Sequence, residues 1–238
     1  MIPESENCSQ EIKDAKRVME NEAKAIHLCS QRLNEHIVDA LNILFSKDKK
    51  VIITGIGKSG HLAKKVAATL CSTGTPSAFM HPTEAIHGDL GIHQKNDPVI
   101  FLSNSGNTPE LIFLEPVLRN RGARIVGILG NKRGPLAEKV DCVLDASVTE
   151  EADPLGIVPT SSFMVSSAIC DAIASLLMNR RKFTENDYAR THPGGQLGRN
   201  LILRVKDVQQ PLSKAACLQP QDTTVSYTHL RAHETSLH

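Results

Sequence analysis

Two glycine- and serine-rich turns carry the residues best suited to binding a phosphate. The first is GIGKSG at 55–60, and the second is SNSGNTPE at 103–110; each follows a short apolar run. A glycine turn between a strand and a helix lets backbone N–H groups approach an anion, and the helix dipole favours negative charge there. The second turn adds the hydroxyls of Ser103, Ser105 and Thr108 and lacks the G-x-x-x-x-G-K-[ST] string of nucleoside triphosphatases. It therefore predicts a site for a phosphate monoester, although turn formation and helix capping alone also favour serines here.

Five further residues could move protons around such an anchor: Lys58, His87, Glu110, Glu151 and His192. Transfer of a proton between C1 and C2 of a sugar phosphate needs a carboxylate or imidazole base, an acid for the oxygens and a cation for the enediolate. Each residue alone has a plain structural alternative, such as a helix-dipole acid, a solvated lysine or a loop hydrogen bond. The prediction depends on their joint position at the ends of strands.

The hydrophobic pattern predicts the elements that position these residues. Strands are predicted at 51–54, 77–80, 98–103, 124–129 and 142–144. Helices are predicted at 9–46 (one or two), 59–72, 109–120 with Thr108 as the N-cap, 135–139 and 161–181. A capping-box-like pair, Thr184 and Asp187, starts another short helix that ends near Arg190. The alternation indicates an α/β fold: a doubly wound parallel five-stranded sheet flanked by helices, with an N-terminal helical arm. Ligands of such sheets bind beyond the carboxyl ends of the strands, so the two turns can share one pocket.

Composition narrows the possible partners and the compartment. The 238 residues carry a net charge of +1, and aromatic residues make up 3%. The basic run Arg180-Arg181-Lys182 suits the carboxyl end of a helix. Since no other basic stripe and no stacking surface is evident, no nucleic-acid partner is expected. The amino terminus is polar, no apolar run approaches the length of a membrane span, and the six cysteines form no C-x-x-C pair. We predict a cytoplasmic protein with no membrane partner and reduced thiols.

The predicted organisation has four parts. Residues 1–46 form the helical arm, which packs either on the core or on a partner subunit, and residues 47–204 form the catalytic domain. The segment 205–224 is polar and weakly patterned, and 225–238 fits nothing before it. His229 and His233 have a spacing that can hold a metal on a helix, but a foreign tail is the favoured interpretation.

Several motifs together resemble one family. GIGKSG, STGTPS, HPTEAIHGDLG, SNSGNTPE, DPLGIVPTSS and THPGGQLGR are similar to the sugar isomerase (SIS) domain of the D-arabinose-5-phosphate isomerase family. The resemblance implies interconversion of D-ribulose 5-phosphate and D-arabinose 5-phosphate through an enediol, supply of Kdo for lipopolysaccharide or capsule, and a homotetramer. Family members usually continue into a pair of CBS domains. Here VKDV at 205–208 resembles the entry to the first, so 205–224 is expected to be a truncated CBS region.

The resemblance also implies roles for individual residues. The catalytic set is Lys58, Glu110, Glu151 and His192, with His192 often supplied across a subunit interface. Glu151 is favoured as the C2 base, and Glu110 and His192 handle oxygen protons. The substrate-binding set is Ser59, Gly74, Thr75, His81, His87, Ser103, Ser105 and Thr108. No cofactor is required, and a zinc ion on His81 would be inhibitory or incidental.

Three alternatives remain. A non-catalytic SIS module could sense a sugar phosphate, but that hypothesis favours an attached DNA-binding module or loss of the acid–base set. A dinucleotide-dependent dehydrogenase, suggested by the G-x-G-x-x-G string, would place an acid after the second strand, where Met80 and His81 stand. An isomerase of another sugar phosphate shares every feature named above.

Overall fold

The computed structural model describes residues 4–195, 198 and 199, and the isolated positions 204, 209, 221, 223 and 225; side chains are described from residue 8. It divides the chain into two compact units, residues 1–192 and 193–238. The expected CBS region and tail, including His229 and His233, lie outside the described residues apart from those isolated positions. The first unit contains the whole sheet and every candidate site residue.

The sheet has five parallel strands in the order β2-β1-β3-β4-β5. The strands are β1 (Val51–Gly55), β2 (Ser77–Phe79), β3 (Val99–Ser103), β4 (Ile125–Leu129) and β5 (Cys142–Asp145). Every residue of β1, β3 and β4 is buried, as expected for a parallel sheet covered on both faces. The chain leaves β1 toward β2 on one side and returns to β3 on the other. The two glycine- and serine-rich turns therefore follow adjacent strands at the topological switch point, where such sheets bind ligands.

Seven helices are described. They are α1 (Glu4–Arg32), α2 (His36–Leu44), α3 (Lys58–Ser72), α4 (Pro82–Ala85), α5 (Pro109–Asn120), α6 (Ser161–Arg181) and α7 (Glu185–Thr191). Short 3-10 turns occupy Asp89–Ile92 and Pro135–Glu138. Two apolar clusters fill the faces of the sheet, one with helices α1, α2, α3 and α6 and the other with α4 and α5. The doubly wound prediction is confirmed; α4 and the first 3-10 turn lie in a segment predicted as loop.

The N-terminal arm divides into two helices with different burial. The side chains of Ala40, Leu41, Ile43 and Leu44 in α2 are buried in the core. The end of α1 also packs on the core through Cys29, whereas Ile12 and Met19 nearer its start are 52% and 70% exposed. Within this chain, the arm therefore packs on the core at its carboxyl end.

Helix α6 is the longest apolar element of the core. Among the described residues, it alone has the length and composition of a membrane span, with a mean hydropathy of 1.5 in its most apolar window. The prediction from unbroken apolar runs missed this because serines and Asp171 interrupt the sequence. Core helices of water-soluble domains pass the same test, and the buried residues Val165, Ile169 and Leu177 pack against the sheet.

A buried polar cluster closes the amino end of β3. His93 is fully buried; its Nε2–H donates to the Asp97 carbonyl at 3.0 Å, and its Nδ1 accepts from the Arg121 Nε–H at 3.4 Å. Asp97 also pairs with Lys50 at 2.8 Å. Burial lowers the pKa of His93, and the cations Arg121 and Lys50 lower it further, against the raising effect of Asp97. The imidazole is thus held in one neutral tautomer.

Candidate active site

The first turn brings Lys58 and Ser59 to the carboxyl end of β1. Gly57 has a φ of 57°, and α3 begins at the next residue. A Cβ on Gly60 would lie 2.8 Å from the Gly55 carbonyl oxygen, so the helix can approach the strand this closely only without a side chain there. Lys58 is exposed and Ser59 half-buried, which leaves both accessible above the sheet.

The second turn is organised by its own hydroxyls. The Ser103 and Thr108 hydroxyl oxygens are 2.7 Å apart, and Ser103 Oγ accepts the Gly106 N–H at 3.1 Å. Ser105 Oγ accepts the Asn107 N–H at 3.1 Å. Thr108 stands at the predicted N-cap position of α5, but its hydroxyl bonds Ser103 rather than the helix backbone. The turn is therefore preorganised by hydrogen bonds within it, and Ser105 is its exposed hydroxyl.

Glu151 follows β5 and anchors the start of α6. Its Oε2 accepts the Thr160 N–H at 2.9 Å, the Thr160 hydroxyl at 3.1 Å and the Ser162 N–H at 3.1 Å, and its Oε1 accepts the Ser162 hydroxyl. Burial raises the pKa of Glu151, but the hydrogen bonds from Ser162 and Thr160 outweigh burial and hold the pKa below its ordinary value. The carboxylate is ionised at neutral pH, and the same bonds make it a weaker base.

A cavity of about 150 Å³ joins these elements. Its lining includes Lys58, Ser59 and Asn104 from the two turns, together with Ser162 and Ser166 of α6. Asn104, Ser162 and Ser166 were not among the predicted site residues, although the run of hydroxyl residues at 160–162 is visible in the sequence. The cavity places the lysine beside the helix end that Glu151 caps.

The remaining residues at this end of the sheet surround the turns. Glu110 lines a separate shallow cavity of about 340 Å³ with α4, next to the exposed side chains of Ile86 and Phe113. His87 is exposed, and His81 is half-buried after β2. Together with Lys58, Ser59 and Glu151, they make up what we call the carboxyl-edge cluster, whose members are Lys58, Ser59, His81, His87, Ser103, Ser105, Thr108, Glu110 and Glu151.

His81 does not suit a zinc ligand. Its Nδ1 is buried and has no hydrogen-bond partner among the residues that the structure describes. A metal on Nε2 would force the ring proton onto this Nδ1, whereas metal-bound histidines normally donate that proton to an acceptor. Within the described ranges, no group of three or more His, Cys, Asp or Glu side chains could hold a metal ion. The neutral tautomer that costs least carries its proton on Nε2, so His81 is a hydrogen-bond donor there.

Three predicted site residues lie at the opposite edge of the sheet. Gly74 and Thr75 precede β2, and Thr75 is buried with its hydroxyl accepting from Arg181 Nε at 2.9 Å. His192 follows α7, where the Thr191 hydroxyl donates to the Ser72 carbonyl at 3.0 Å. We call Gly74, Thr75 and His192 the amino-edge cluster. A single chain does not bring it together with Lys58.

His192 is held in a defined orientation. Its ring stacks on Tyr188 with 3.9 Å between ring centroids, and its Nδ1–H donates to the Tyr188 carbonyl at 3.0 Å. This bond leaves Nε2 unprotonated in the neutral ring. Nε2 can therefore accept a proton from a group presented to the amino edge.

Comparison with known proteins agrees with this architecture. The SIS domain profile matches residues 44–176. The chain is 46% identical over 197 residues to a Pseudomonas aeruginosa protein named arabinose 5-phosphate isomerase KdsD, covering 83% of this chain and 60% of that one. The chain thus spans about three fifths of the length of that relative.

Two solved structures have the same fold. A structure of an Escherichia coli CFT073 protein in complex with arabinose 5-phosphate is 39% identical, has a TM-score of 0.75, and covers 78% of this chain and 98% of its own. A putative sugar-phosphate isomerase from Listeria monocytogenes is 30% identical with a TM-score of 0.74, covering 77% and 96% of the two chains. The profile match and these similarities show that the chain belongs to the SIS domain family.

Proposed function

We propose that this protein is an aldose–ketose isomerase that interconverts D-ribulose 5-phosphate and D-arabinose 5-phosphate through an enediol. The observation that carries the proposal is the carboxyl-edge cluster, in which a preorganised phosphate turn lies beside a lysine and two glutamates. The name of the Pseudomonas aeruginosa relative and the arabinose 5-phosphate bound to the Escherichia coli protein support this substrate. The product would supply Kdo synthesis for lipopolysaccharide or capsule, in the cytoplasm and without a required cofactor.

The opposite positions of the two clusters support a site shared between copies of the chain. His192 lies on the amino edge, whereas Lys58 lies on the carboxyl edge, so one copy would supply His192 to the carboxyl-edge cluster of another. The exposed Ile86 and Phe113 beside Glu110 offer an apolar surface for such a contact. We propose a homotetramer, without nucleic-acid or membrane partners, as the active form.

In the proposed reaction, the phosphate binds at the SNSGNTPE turn, with Ser59 and His87 contacting the sugar. A glutamate removes the C2 proton of D-arabinose 5-phosphate, or the C1 proton in the reverse direction, and the Lys58 ammonium stabilises the enediolate oxygen. His192 Nε2 and the second glutamate move protons between the C1 and C2 oxygens of the substrate. The Nε2–H of His81 donates a hydrogen bond to the substrate. Glu151 remains the proposed base because it is ionised and adjoins the lysine cavity. Because the lowered pKa of Glu151 makes it a weaker base, Glu110 is the alternative candidate for this role.

The test is proton exchange in D₂O followed by NMR with ribulose 5-phosphate. We expect deuterium at C2 of the newly formed arabinose 5-phosphate, and loss of this exchange in Glu151→Gln but not in Glu150→Gln, its exposed neighbour. If Glu110→Gln abolishes exchange while Glu151→Gln retains it, the roles of the two glutamates are reversed. Each variant is first compared with the wild type by circular dichroism and thermal unfolding.

The same experiment separates the enzyme from a sensor. Saturable binding of ribulose 5-phosphate without any exchange in the wild type would refute the isomerase and support a binding module. Turnover of a different phosphosugar, with none of ribulose 5-phosphate, would retain the mechanism and reject the proposed substrate. The activity of a mixture of Lys58→Ala and His192→Ala chains tests sharing, because mixed oligomers would regain activity that neither variant has alone.

A further inference from the structure

We propose a second anion-binding site, in a pocket at the amino edge of the sheet, for a small phosphate ester. The pocket has a volume of about 500 Å³ and lies between the end of α2, the end of α6 and α7. Its cationic lining residues are Lys47, Arg180, Arg181 and Arg190. It lies on the edge opposite Lys58 and the phosphate turn. The pocket is also lined by Gly74 and Thr191, beside the amino-edge cluster, so in the proposed assembly it would adjoin the site shared between copies. The inference adds an anion-binding function to this edge, and its test measures binding without turnover.

The charges in this pocket are poorly compensated. The single carboxylate in the lining, Asp187, caps α7 through Thr184 and lies 3.5 Å from Arg190. Among the residues that the structure describes, no carboxylate pairs with Lys47, Arg180 or Arg181. Four cations against one carboxylate leave a formal charge of +3. The carboxyl end of α6 contributes roughly −0.5, so more than about two positive charges remain. A phosphate monoester carries roughly −1.5 to −2 at neutral pH.

Arg181 is the cation of this pocket best placed to bind an anion. Its guanidinium donates from Nε to the Thr75 hydroxyl at 2.9 Å and from Nη2 to the Ser46 carbonyl at 2.7 Å, both neutral acceptors. Burial lowers the pKa of Arg181. A partly desolvated cation held only by neutral groups is strengthened by a charge-assisted bond to an anion. Its fixed orientation presents the guanidinium for such a bond.

The apolar walls favour an organic phosphate over the inorganic ion. Phe45 lies beneath Arg181, with the guanidinium carbon 5.3 Å from the ring centroid. Phe183 packs on Gly74, where an added Cβ would approach the ring to 2.5 Å, so glycine is what admits the ring. Both rings line the pocket. The pocket therefore has a cationic side and an apolar side. A ligand that places its phosphate toward the arginines and a compact carbon skeleton against the rings would fit both sides.

The test is calorimetric titration of the full chain with inorganic phosphate and with phenyl phosphate. We expect phenyl phosphate to bind more tightly than inorganic phosphate, and its binding at the amino edge to weaken about tenfold or more in Lys47→Gln/Arg180→Gln, which loses two charge-assisted contacts. Arg17→Gln/Lys24→Gln, on the exposed face of α1, removes the same charge elsewhere and is expected to bind as the wild type does. Thermal unfolding checks each variant, and Arg190→Gln replaces the double variant if that one does not fold.

Ser105→Glu separates this site from the proposed active site. The added carboxylate repels phosphate from the carboxyl-edge turn, so that binding retained in Ser105→Glu and lost in Lys47→Gln/Arg180→Gln supports the amino-edge pocket. Binding lost in Ser105→Glu and unchanged in Lys47→Gln/Arg180→Gln would overturn the proposal, as would no heat from either phosphate. Isomerase activity is measured separately on the same samples, so that failure of the proposed function leaves this result readable.

Discussion

Replacing Glu151 with Gln is expected to destabilise the start of α6 by about 2 kcal/mol at neutral pH. The Gln amide oxygen can keep the three bonds that Oε2 accepts from Thr160 and Ser162, but as neutral bonds. A charge-assisted bond contributes about 1 kcal/mol more than a neutral one, so the three bonds together lose roughly 3 kcal/mol. Partial exposure to solvent reduces this to about half, and loss of the helix-dipole interaction adds about 0.3–1 kcal/mol.

Thermal unfolding measures this change. For a unit of this size, we expect the midpoint to fall by roughly 4–8 °C. Glu150→Gln is the matched control because Glu150 is exposed and adjacent. If Glu151→Gln unfolds at the same temperature as Glu150→Gln, the capping role described above is wrong.

The pH dependence gives the sharper test. The folded pKa of Glu151 lies below its ordinary value of 4.5, so the folded state binds its proton less readily than the unfolded state. The stabilisation is therefore complete above about pH 4.5 and is lost as the pH falls through the folded pKa. The difference in stability between wild type and Glu151→Gln should be largest near pH 7 and shrink below pH 4.5. A difference that is the same at pH 7 and at pH 3.5 would refute the assignment of the effect to the ionised carboxylate.

Two further outcomes follow from the described contacts. His93 has a lowered pKa, so its neutral form stabilises the fold above about pH 6.5, and this stabilisation is lost as the pH falls below that value. In denaturant unfolding, His93→Gln should therefore lose less stability than the wild type between pH 7.5 and pH 5.5. An equal loss of stability in the two proteins would contradict this role of His93. Gly106→Ala should lower the unfolding midpoint and abolish phosphosugar binding, as measured by calorimetry. The reason is that φ of Gly106 is 63° and an added Cβ would lie 2.3 Å from the Asn131 carbonyl oxygen. Wild-type affinity in this variant would show that the turn tolerates rearrangement.

Periodicity and turn chemistry predicted most of the architecture. The strands, helix α6 and the capping box at Thr184 and Asp187 were predicted from local sequence and are confirmed. These features are set by side chains near in sequence, so local pattern is sufficient. The predicted N-cap hydroxyl of Thr108 bonds Ser103 instead, since a turn that folds back after β3 places these two side chains in contact. Such contacts depend on the turn's conformation, which residue types alone do not determine.

The positions of the candidate site residues were harder to predict than the strands and helices that carry them. The bonds between Glu151 and the start of α6 join residues nine to eleven positions apart through a loop, and no local rule predicts them. The location of Gly74 and Thr75 was readable in principle, because residues that precede a parallel strand lie at the amino edge. The motif resemblance grouped them with Lys58 by family role rather than by edge. The order of the elements therefore implied this separation, although the residue types alone did not.

Helix α6 connects the two edges of the sheet and sets the distance between them. Its first turn is capped by Glu151, its last turn is tied to Thr75 by Arg181, and its 21 residues span about 30 Å. In any assembly where one copy's amino edge meets another's carboxyl edge, this length determines how far apart successive sites lie. An insertion or deletion of one helical turn in α6 would shift one of its ends by about 5.4 Å relative to the sheet, and would break the contact at that edge. The length of this helix is therefore constrained by the contacts at both edges of the sheet as well as by the core that it packs against.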